Sequence, residues 1–404
     1  MQVFVARQPI FDKRQAVFAY ELLFRSSLDN YFNYSDADRA SSNVIASSFL
    51  GIGIEELTGG KKGFINFTPA LLTNEYATLF PRELLVVEIL ENIEPNPEII
   101  AACQDLKAAG YSLALDDFVY DAKFEPLIAL ADIIKVDFMS TTGNTRQELV
   151  ERFKPRGIAL LAEKVETKEE FNQAIALGYS YFQGYFFAKP VIVSGQDIPA
   201  SKLTFIQILQ EISHAQLDWD NIEAIIKREV SLSYKLLKYI NSAWFGLRRR
   251  VESIRQALVL LGEQNLRKWI ALVALSSIGT DKPMELVVSS IVRARLCELM
   301  SEQLRLRDRA DDLFLLGLFS RIDVLTDRPM EVVLNELPIA NDIKEALLGK
   351  ANTLYRVCEL IFAYERGDWD GFSMAAKALN LNEAAFPQLY TSSVTWANQI
   401  MEAA

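Results

Sequence analysis

The pattern of apolar residues changes near the middle of the chain, and this change limits the possible folds more than any other feature. From about residue 15 to residue 190, short apolar runs alternate with segments of helical character, such as residues 97–109 and 168–177. The runs cover residues 16–24, 63–67, 84–90, 111–115, 133–138, 158–162 and 179–187. Strands that alternate with helices predict a mostly parallel sheet. Because the runs are apolar at consecutive positions, we expect both faces of this sheet to be covered.

Nearly every apolar run ends in a carboxylate, an amide or an amine. These residues are Glu21, Asn66, Glu88, Asp116 with Asp117, Lys135, Glu163 and Gln183. The carboxyl ends of barrel strands meet on one rim, where barrel enzymes carry out their chemistry. We therefore predict an α/β barrel, with an open doubly wound sheet as the alternative.

The acids of this set, Glu21, Glu88, Asp116, Asp117 and Glu163, are hard oxygen ligands. Together they would repel one another unless cations lay between them, and oxygen ligands favour Mg²⁺ or Mn²⁺ over zinc. Two such ions about 3.5 to 4 Å apart can activate a water and stabilise an in-line phosphoryl displacement. Lys135 is suited to orient that water or to neutralise phosphate charge, while Asn66 and Gln183 can complete the contacts. For any single acid, the alternative to metal binding is that it caps a strand or pairs with a surface lysine.

The second half of the chain has helical periodicity throughout. A polar stretch at residues 194–201 is typical of a linker, and beyond it apolar residues recur at helical spacing, as at Leu236, Leu237 and Ile240. Because 404 residues exceed one ordinary core, we expect two domains. They are a barrel at residues 1–195 and an all-helical domain at residues 198–404.

Composition argues against several classes of protein. The net charge of -11 disfavours a DNA or RNA surface, which needs clustered lysine and arginine. The N-terminus has no signal pattern, and no apolar run approaches the roughly 18 residues that span a bilayer, so we expect a cytoplasmic protein without membrane insertion. Cys103, Cys297 and Cys358 are widely separated and suit buried thiols rather than a disulfide framework.

Eight short motifs stand in order along the first half: Gln8-Pro9-Ile10, Glu21-Leu22-Leu23-Phe24-Arg25, Phe64-Ile65-Asn66, Glu88-Ile89-Leu90-Glu91, Asp116-Asp117-Phe118, Ile134-Lys135-Val136-Asp137, Ala162-Glu163-Lys164-Val165-Glu166-Thr167 and Gln183-Gly184-Tyr185. This series resembles the EAL domain, a (β/α)₈ barrel that hydrolyses cyclic di-GMP to linear pGpG with Mg²⁺ or Mn²⁺. It covers roughly residues 1 to 195.

This resemblance implies a role for each matching residue. The metal ligands would be Glu21, Asn66, Glu88, Asp116 and Asp117. The catalytic residues are Glu21 together with Lys135 and Glu163, which would lie at the hydrolytic water and a second metal ion. The dinucleotide would contact Gln8, Arg25 and Gln183.

Two positions depart from the EAL pattern. The family usually carries Gly-Thr-Gly after the Asp-Asp-Phe motif, whereas Val119, Tyr120 and Asp121 stand here. The family also tends to have glycine after the position of Glu163, and here Lys164 follows it. In the family, the loop at residues 119–121 contributes to metal binding and to dimer contacts. Because this loop differs here, we expect reduced activity, and the sequence leaves a homodimer as one alternative.

The second half carries a further series of motifs at residues 236–246, at Ser253-Ile254-Arg255-Gln256-Ala257 and at Leu260-Leu261-Gly262. These motifs resemble the HDOD domain, a non-hydrolytic relative of HD phosphohydrolases found in bacterial signalling proteins. The later segment Tyr364-Glu365-Arg366-Gly367-Asp368-Trp369 is similar to the combination of EAL and HDOD domains. The chain has one histidine, His214, so an HD metal site lacks its ligands. Gly317-Leu318-Phe319-Ser320-Arg321 stands where an HD enzyme would place its His-Asp pair.

The sequence therefore predicts a bacterial signalling protein with a cyclic di-GMP phosphodiesterase barrel coupled to a non-catalytic HDOD domain. The HDOD domain would act by contact with an unidentified signalling protein. The alternative is a receptor that binds cyclic di-GMP without cleaving it and signals through protein contacts.

Overall fold

The structure is a computed structural model that describes residues 4–25, 53–74, 76–185, 217–228, 230–241, 251, 253–278, 282–337 and 339–403. The chain divides into two compact units. One comprises Met1–Lys189 with Phe362–Phe372, and the other Pro190–Ile361 with Ser373–Ala404. The predicted boundary at residues 195 to 198, the predicted linker, His214 and the side chain of Arg25 lie outside the described residues. The boundary therefore stays a prediction.

Eight strands close into a barrel in chain order, so the predicted barrel is confirmed. They are β1 (Phe4–Asp12), β2 (Val17–Arg25), β3 (Lys62–Phe67), β4 (Leu85–Ile89), β5 (Ser112–Leu115), β6 (Ile133–Asp137), β7 (Ala159–Glu163) and β8 (Tyr181–Phe182). Neighbours from β2 to β8 pair in parallel. Strand β1 is antiparallel to both β2 and β8.

Short and medium helices connect these strands. They are α1 (Ile54–Thr58), α2 (Pro69–Thr73), α3 (Pro97–Ala108), α4 (Glu125–Ile128), α5 (Gly143–Phe153) and α6 (Lys168–Leu177), with 3₁₀ turns at Tyr76–Leu79, Ala122–Phe124 and Lys154–Arg156. Helix α6 begins with a capping box, in which Thr167 accepts from the Glu170 backbone and the Glu170 side chain accepts from the Thr167 backbone.

Strand β1 was not among the predicted apolar runs. Its sequence FVARQPIFD carries Arg7, Gln8 and Pro9 in the middle, which interrupts any continuous apolar run. The strand forms because its backbone pairs with β2 along most of its length, and this register places Gln8 opposite Glu21. A polar residue of β1 thus lies beside the first acid of the rim.

The second unit is helical, as predicted. Its helices are α7 (Trp219–Arg228), α8 (Val230–Ile240), α9 (Ile254–Ile278), α10 (Met284–Met300), α11 (Ala310–Leu318), α12 (Ile322–Thr326), α13 (Met330–Glu336), α14 (Asn341–Leu347), α15 (Thr353–Arg366), α16 (Trp369–Ala378) and α17 (Phe386–Ala403), with 3₁₀ turns at Arg307–Arg309 and Glu383–Ala385. The end of α15 and the start of α16 belong to the barrel unit. Among the described helices, none has both the length and the apolar character that crossing a bilayer requires.

Helices α10 and α11 approach closely at Gly317. A Cβ atom on Gly317 would lie 2.4 Å from the backbone oxygen of Arg293, a contact that only glycine avoids. The buried Arg293 also donates from Nη1 to Ser320 Oγ at 3.0 Å. The segment that replaces an HD-type His-Asp pair is therefore a packed helix junction.

Candidate active site on the barrel rim

An apolar layer inside the barrel lies directly below the predicted site. It is formed by Ile10, Ala19, Phe64, Val86, Ala114, Ile133 and Leu161. On β2 to β7, the predicted site residue follows its layer residue by two positions, as Glu21 follows Ala19 and Lys135 follows Ile133. Residues two apart on a strand share a face, so these side chains point into the barrel mouth. The convergence follows from strand periodicity above a filled interior.

Lys135 lies at the centre of this group. Its side chain is 1% exposed, and its ammonium is surrounded by carboxylates. Nζ lies 2.7 Å from Glu88 Oε1, 2.7 Å from Asp116 Oδ1, 2.9 Å from Glu163 Oε1 and 3.6 Å from Glu21 Oε1. One buried cation therefore holds four acids from four strands together.

Burial and mutual repulsion shift the pKa values in this cluster. Burial raises the pKa of Glu88 well above its usual value, and Lys135 only partly offsets this. Burial likewise raises the pKa of Glu163 to about 8. Burial alone would lower the pKa of Lys135, but the four surrounding carboxylates raise it well above its usual value. A raised carboxyl pKa favours the protonated acid, so the cluster contains more carboxyl groups than its single ammonium can keep ionised.

Three amides extend the group around Glu21. Gln183 Nε2 donates to Glu21 Oε2 at 2.6 Å and to Gln8 Oε1 at 3.2 Å. Asn66 Nδ2 donates to Glu21 Oε1 at 3.5 Å. All three predicted amides therefore contact this acid or one another. The backbone of Arg25 ends β2, beyond Glu21.

The donor atoms fit a divalent cation by their chemistry. Apart from Glu88 Oε1, which lies 2.7 Å from Lys135 Nζ, five buried oxygens have no hydrogen-bond partner in the described part of the chain: Asn66 Oδ1, Glu88 Oε2, Asp117 Oδ1, Glu163 Oε2 and Gln183 Oε1. A buried oxygen without a hydrogen-bond donor destabilises the folded state. A hard divalent cation can coordinate such oxygens and so offset this cost. Within the described residues, no three acidic, cysteine or histidine side chains are arranged as a metal site, and the Lys135 ammonium lies among four of the acids.

Asp117 lies apart from Lys135 and pairs with a different lysine. Lys164 Nζ lies 3.5 Å from Asp117 Oδ2 and 2.8 Å from Asp137 Oδ2. The backbone of Lys164 has φ 53°, in the left-handed region that glycine adopts without cost. The position thus keeps the backbone of a glycine while presenting an ammonium to the rim. Asp137 ends β6 two residues after Lys135, and this spacing could have identified it as a further rim residue.

The altered loop after Phe118 is held by its own side chains. The Arg152 guanidinium lies 3.7 Å from the centre of the Tyr120 ring, and the Tyr120 hydroxyl donates to Glu125 Oε1 at 3.2 Å. Asp121 caps the following 3₁₀ turn by accepting from Lys123 N. Among Val119, Tyr120 and Asp121, none has a positive φ, so the loop follows a path open to ordinary residues. Val119 is 77% exposed and borders a cavity of about 220 Å³ that Asp116, Asp117 and Glu91 also line.

The two halves of the chain match two known domain families. Residues 36–190 match the EAL domain model, and residues 198–326 match the HDOD domain model. The chain is 39% identical to the uncharacterized protein YuxH of Bacillus subtilis over 100% of both chains. It is 35% identical to the cyclic di-GMP phosphodiesterase CdgJ of Vibrio cholerae over 98% of this chain and 93% of that protein.

Solved EAL structures align with the barrel half of the chain. One is the cyclic di-GMP-bound form of a standalone EAL protein from Vibrio cholerae O395, with 26% identity, a TM-score of 0.35 and coverage of 46% of this chain and 91% of that one. The full-length relatives and the two domain matches identify the whole chain. It belongs to the family of proteins that join an EAL domain to an HDOD domain.

Proposed function

We propose that this protein is a metal-dependent phosphodiesterase that hydrolyses cyclic di-GMP to linear pGpG at a reduced rate. The observation that carries the proposal is the convergence of carboxylates, amides and one lysine from separate strands on a single rim. The cyclic di-GMP phosphodiesterase CdgJ, which is 35% identical over almost the full chain, gives the substrate class.

In this proposal Glu21, Asn66, Glu88, Asp116 and Asp117 hold Mg²⁺ or Mn²⁺. A bound divalent cation supplies Lewis-acid activation of water and neutralises charge on the phosphoryl oxygens. Lys135 is placed to donate to a phosphoryl oxygen, because its ammonium is buried at the centre of the rim. Glu163, 2.9 Å from that ammonium, is placed to accept the proton of the attacking water. Attack forms a new bond from phosphorus to the water oxygen and breaks one phosphorus–oxygen ester bond of the ring; the released ribose oxygen takes up a proton from solvent, and the dinucleotide opens.

The polar residues at the side of the rim would bind the dinucleotide. Gln8 and Gln183 form a hydrogen-bonded pair next to Glu21, and they can donate to and accept from phosphate or base groups. We assign Arg25 to the same role on the resemblance alone. These residues determine affinity, whereas the carboxylates and Lys135 determine turnover.

A second candidate function is a receptor that binds cyclic di-GMP without cleaving it. Two observations favour it: Lys164 is paired with Asp117, and Tyr120 anchors a loop that differs from the family pattern. Both features act on the carboxylate side of the rim and leave Gln8 and Gln183 unaffected.

The HDOD unit in either case would act by binding a signalling protein, and we include a homodimer as one assembly. We place the protein in the cytoplasm, because Cys103, Cys297 and Cys358 are buried thiols and such thiols are typical of a reducing compartment.

The deciding experiment is incubation of the full chain with cyclic di-GMP and Mn²⁺ or Mg²⁺, with chromatography for pGpG and calorimetry for binding. Glu21→Gln should abolish pGpG formation, while Glu98→Gln, on the exposed face of α3, should behave as wild type. Binding without any pGpG at saturating metal would support the receptor instead. The absence of both binding and cleavage would refute both functions.

A further inference from the structure

A turn from the C-terminal half of the sequence is part of the barrel unit. Residues Phe362–Phe372, which join the end of α15 to the start of α16, belong to this unit. The Tyr364 hydroxyl donates to the backbone oxygen of Val5 in β1 at 2.8 Å, in a fully buried contact. The motif Tyr364-Glu365-Arg366-Gly367-Asp368-Trp369, noted in the sequence without a role, lies in this turn.

Aromatic packing fixes the turn on β1. The ring of Phe4 lies 6.2 Å from that of Trp369 and 5.8 Å from that of Phe372. Tyr364 is edge-on to both Trp369 and Phe372 at 5.3 Å. Phe4, Tyr364 and Phe372 are each at most 2% exposed. Each aromatic side chain buries about 150–250 Å², so this cluster is a substantial anchor.

The turn covers a part of β1 that β8 does not reach. Among the described residues, β8 pairs with β1 only at Phe11 and Asp12. Gly367 lies against Leu23 of β2, since a Cβ atom there would stand 2.8 Å from Leu23 Cδ1. Its φ of 70° also favours glycine.

The turn contacts the rim through Gln8. The Gln8 Nε2 atom donates to the backbone oxygen of Glu365 at 3.4 Å, and Gln8 Oε1 accepts from Gln183 Nε2 at 3.2 Å. Gln183 Nε2 also donates to Glu21 Oε2. The amide of Gln8 is thus oriented from both ends, by the turn on one side and by the rim on the other.

We propose that the turn at residues 362–372 is a positioning element of the site: its Glu365 carbonyl orients Gln8 and so sets the affinity for the cyclic dinucleotide. This inference rests on the proposed function. Free amides rotate among several rotamers, and a group held in its binding orientation binds a ligand at lower entropic cost. The turn therefore acts on substrate affinity and leaves turnover to the carboxylates and Lys135.

The test is a double-mutant cycle in the full chain between Tyr364→Phe and Gln8→Ala. Tyr364→Phe keeps the ring but removes the bond to Val5, and one hydrogen bond corresponds to roughly a fivefold effect. We expect Kd and KM for cyclic di-GMP to rise by about this factor, with kcat unchanged. In the Gln8→Ala background, Tyr364→Phe should change Kd and KM by less than about twofold, because the Gln8 amide that the turn orients is absent.

Tyr111→Phe is the matched control. The Tyr111 hydroxyl makes a similar buried bond to the backbone oxygen of Phe80, on a different part of the barrel. This variant should lower thermal stability about as much as Tyr364→Phe and leave Kd unchanged. A rise in Kd for Tyr364→Phe that persists in the Gln8→Ala background, or no rise despite lower stability, would overturn the proposal.

Hydrogen exchange separates this proposal from the proposed function. Without any nucleotide, peptides that cover β1 should exchange faster in Tyr364→Phe than in Tyr111→Phe. Unchanged exchange in β1 would show that the turn does not hold the strand, and the proposal fails. If wild-type protein binds no cyclic di-GMP, the proposed function fails and the assigned affinity role fails with it. Faster exchange in β1 would then show a turn that acts on the strand alone.

Discussion

Replacing Lys164 with glycine tests whether this lysine competes with a cation for the rim. Lys164 has a left-handed backbone, which costs an ordinary residue about 1 kcal/mol relative to glycine. Its side chain is 48% exposed, so the ion pairs with Asp137 and Asp117 contribute only about 0–1 kcal/mol to folding. The two effects offset each other. We therefore expect the free energy of unfolding of Lys164→Gly to lie within about 1 kcal/mol of the wild-type value.

The effect on metal affinity should be larger. Two unit charges 4 Å apart interact by about 1 kcal/mol in water and about 4 kcal/mol at an effective dielectric of 20. Because Lys164 is half exposed, we take about 1–2 kcal/mol for the repulsion that it exerts on a cation at Asp117. This corresponds to roughly five- to thirtyfold tighter Mn²⁺ binding in Lys164→Gly.

The assay is the electron paramagnetic resonance signal of free Mn²⁺ during titration of the full chain without nucleotide. Lys164→Asn removes the charge and tolerates the left-handed backbone, so it should match Lys164→Gly. Lys164→Arg keeps the charge and should match wild type. Wild-type Mn²⁺ affinity in both charge-removing variants would refute the reasoning, and tighter binding in the glycine variant alone would assign the effect to the backbone.

Three further predictions concern single side chains. Glu21→Ala should abolish pGpG formation and weaken Mn²⁺ binding without lowering the midpoint of thermal unfolding, because crowded carboxylates are a source of strain; wild-type turnover would contradict the assigned site. Lys135→Met leaves buried carboxylates without their counter-charge, so we expect a loss of about 3–5 kcal/mol in urea unfolding with EDTA and partial recovery with Mn²⁺; equal stability with EDTA would show that Lys135 does not hold the cluster. Gly317→Ala brings a Cβ atom to 2.4 Å from the Arg293 oxygen, so urea unfolding should show a loss of about 1–3 kcal/mol, and an unchanged midpoint would argue against the close approach of α10 and α11.

The sequence by itself determined the barrel and most of its candidate site. Apolar runs followed by polar residues are a local pattern, and the geometry of a closed parallel barrel brings all strand ends to one rim. Glu88 and Lys135 could therefore be assigned together although 47 positions separate them. The helical character of the second half could be predicted equally well, because helical periodicity is also a local pattern.

Only the tertiary structure decided which groups pair with one another. The sequence gives no sign that Lys135 holds four acids, or that Lys164 reaches Asp137 as well as Asp117, because side-chain direction depends on strand register and on backbone angles. Strand β1 was missed because its stability comes from pairing with β2 rather than from an apolar run. The contact between Gln8 and Glu365 spans 357 positions, and no local pattern encodes a contact set by the path of the whole chain.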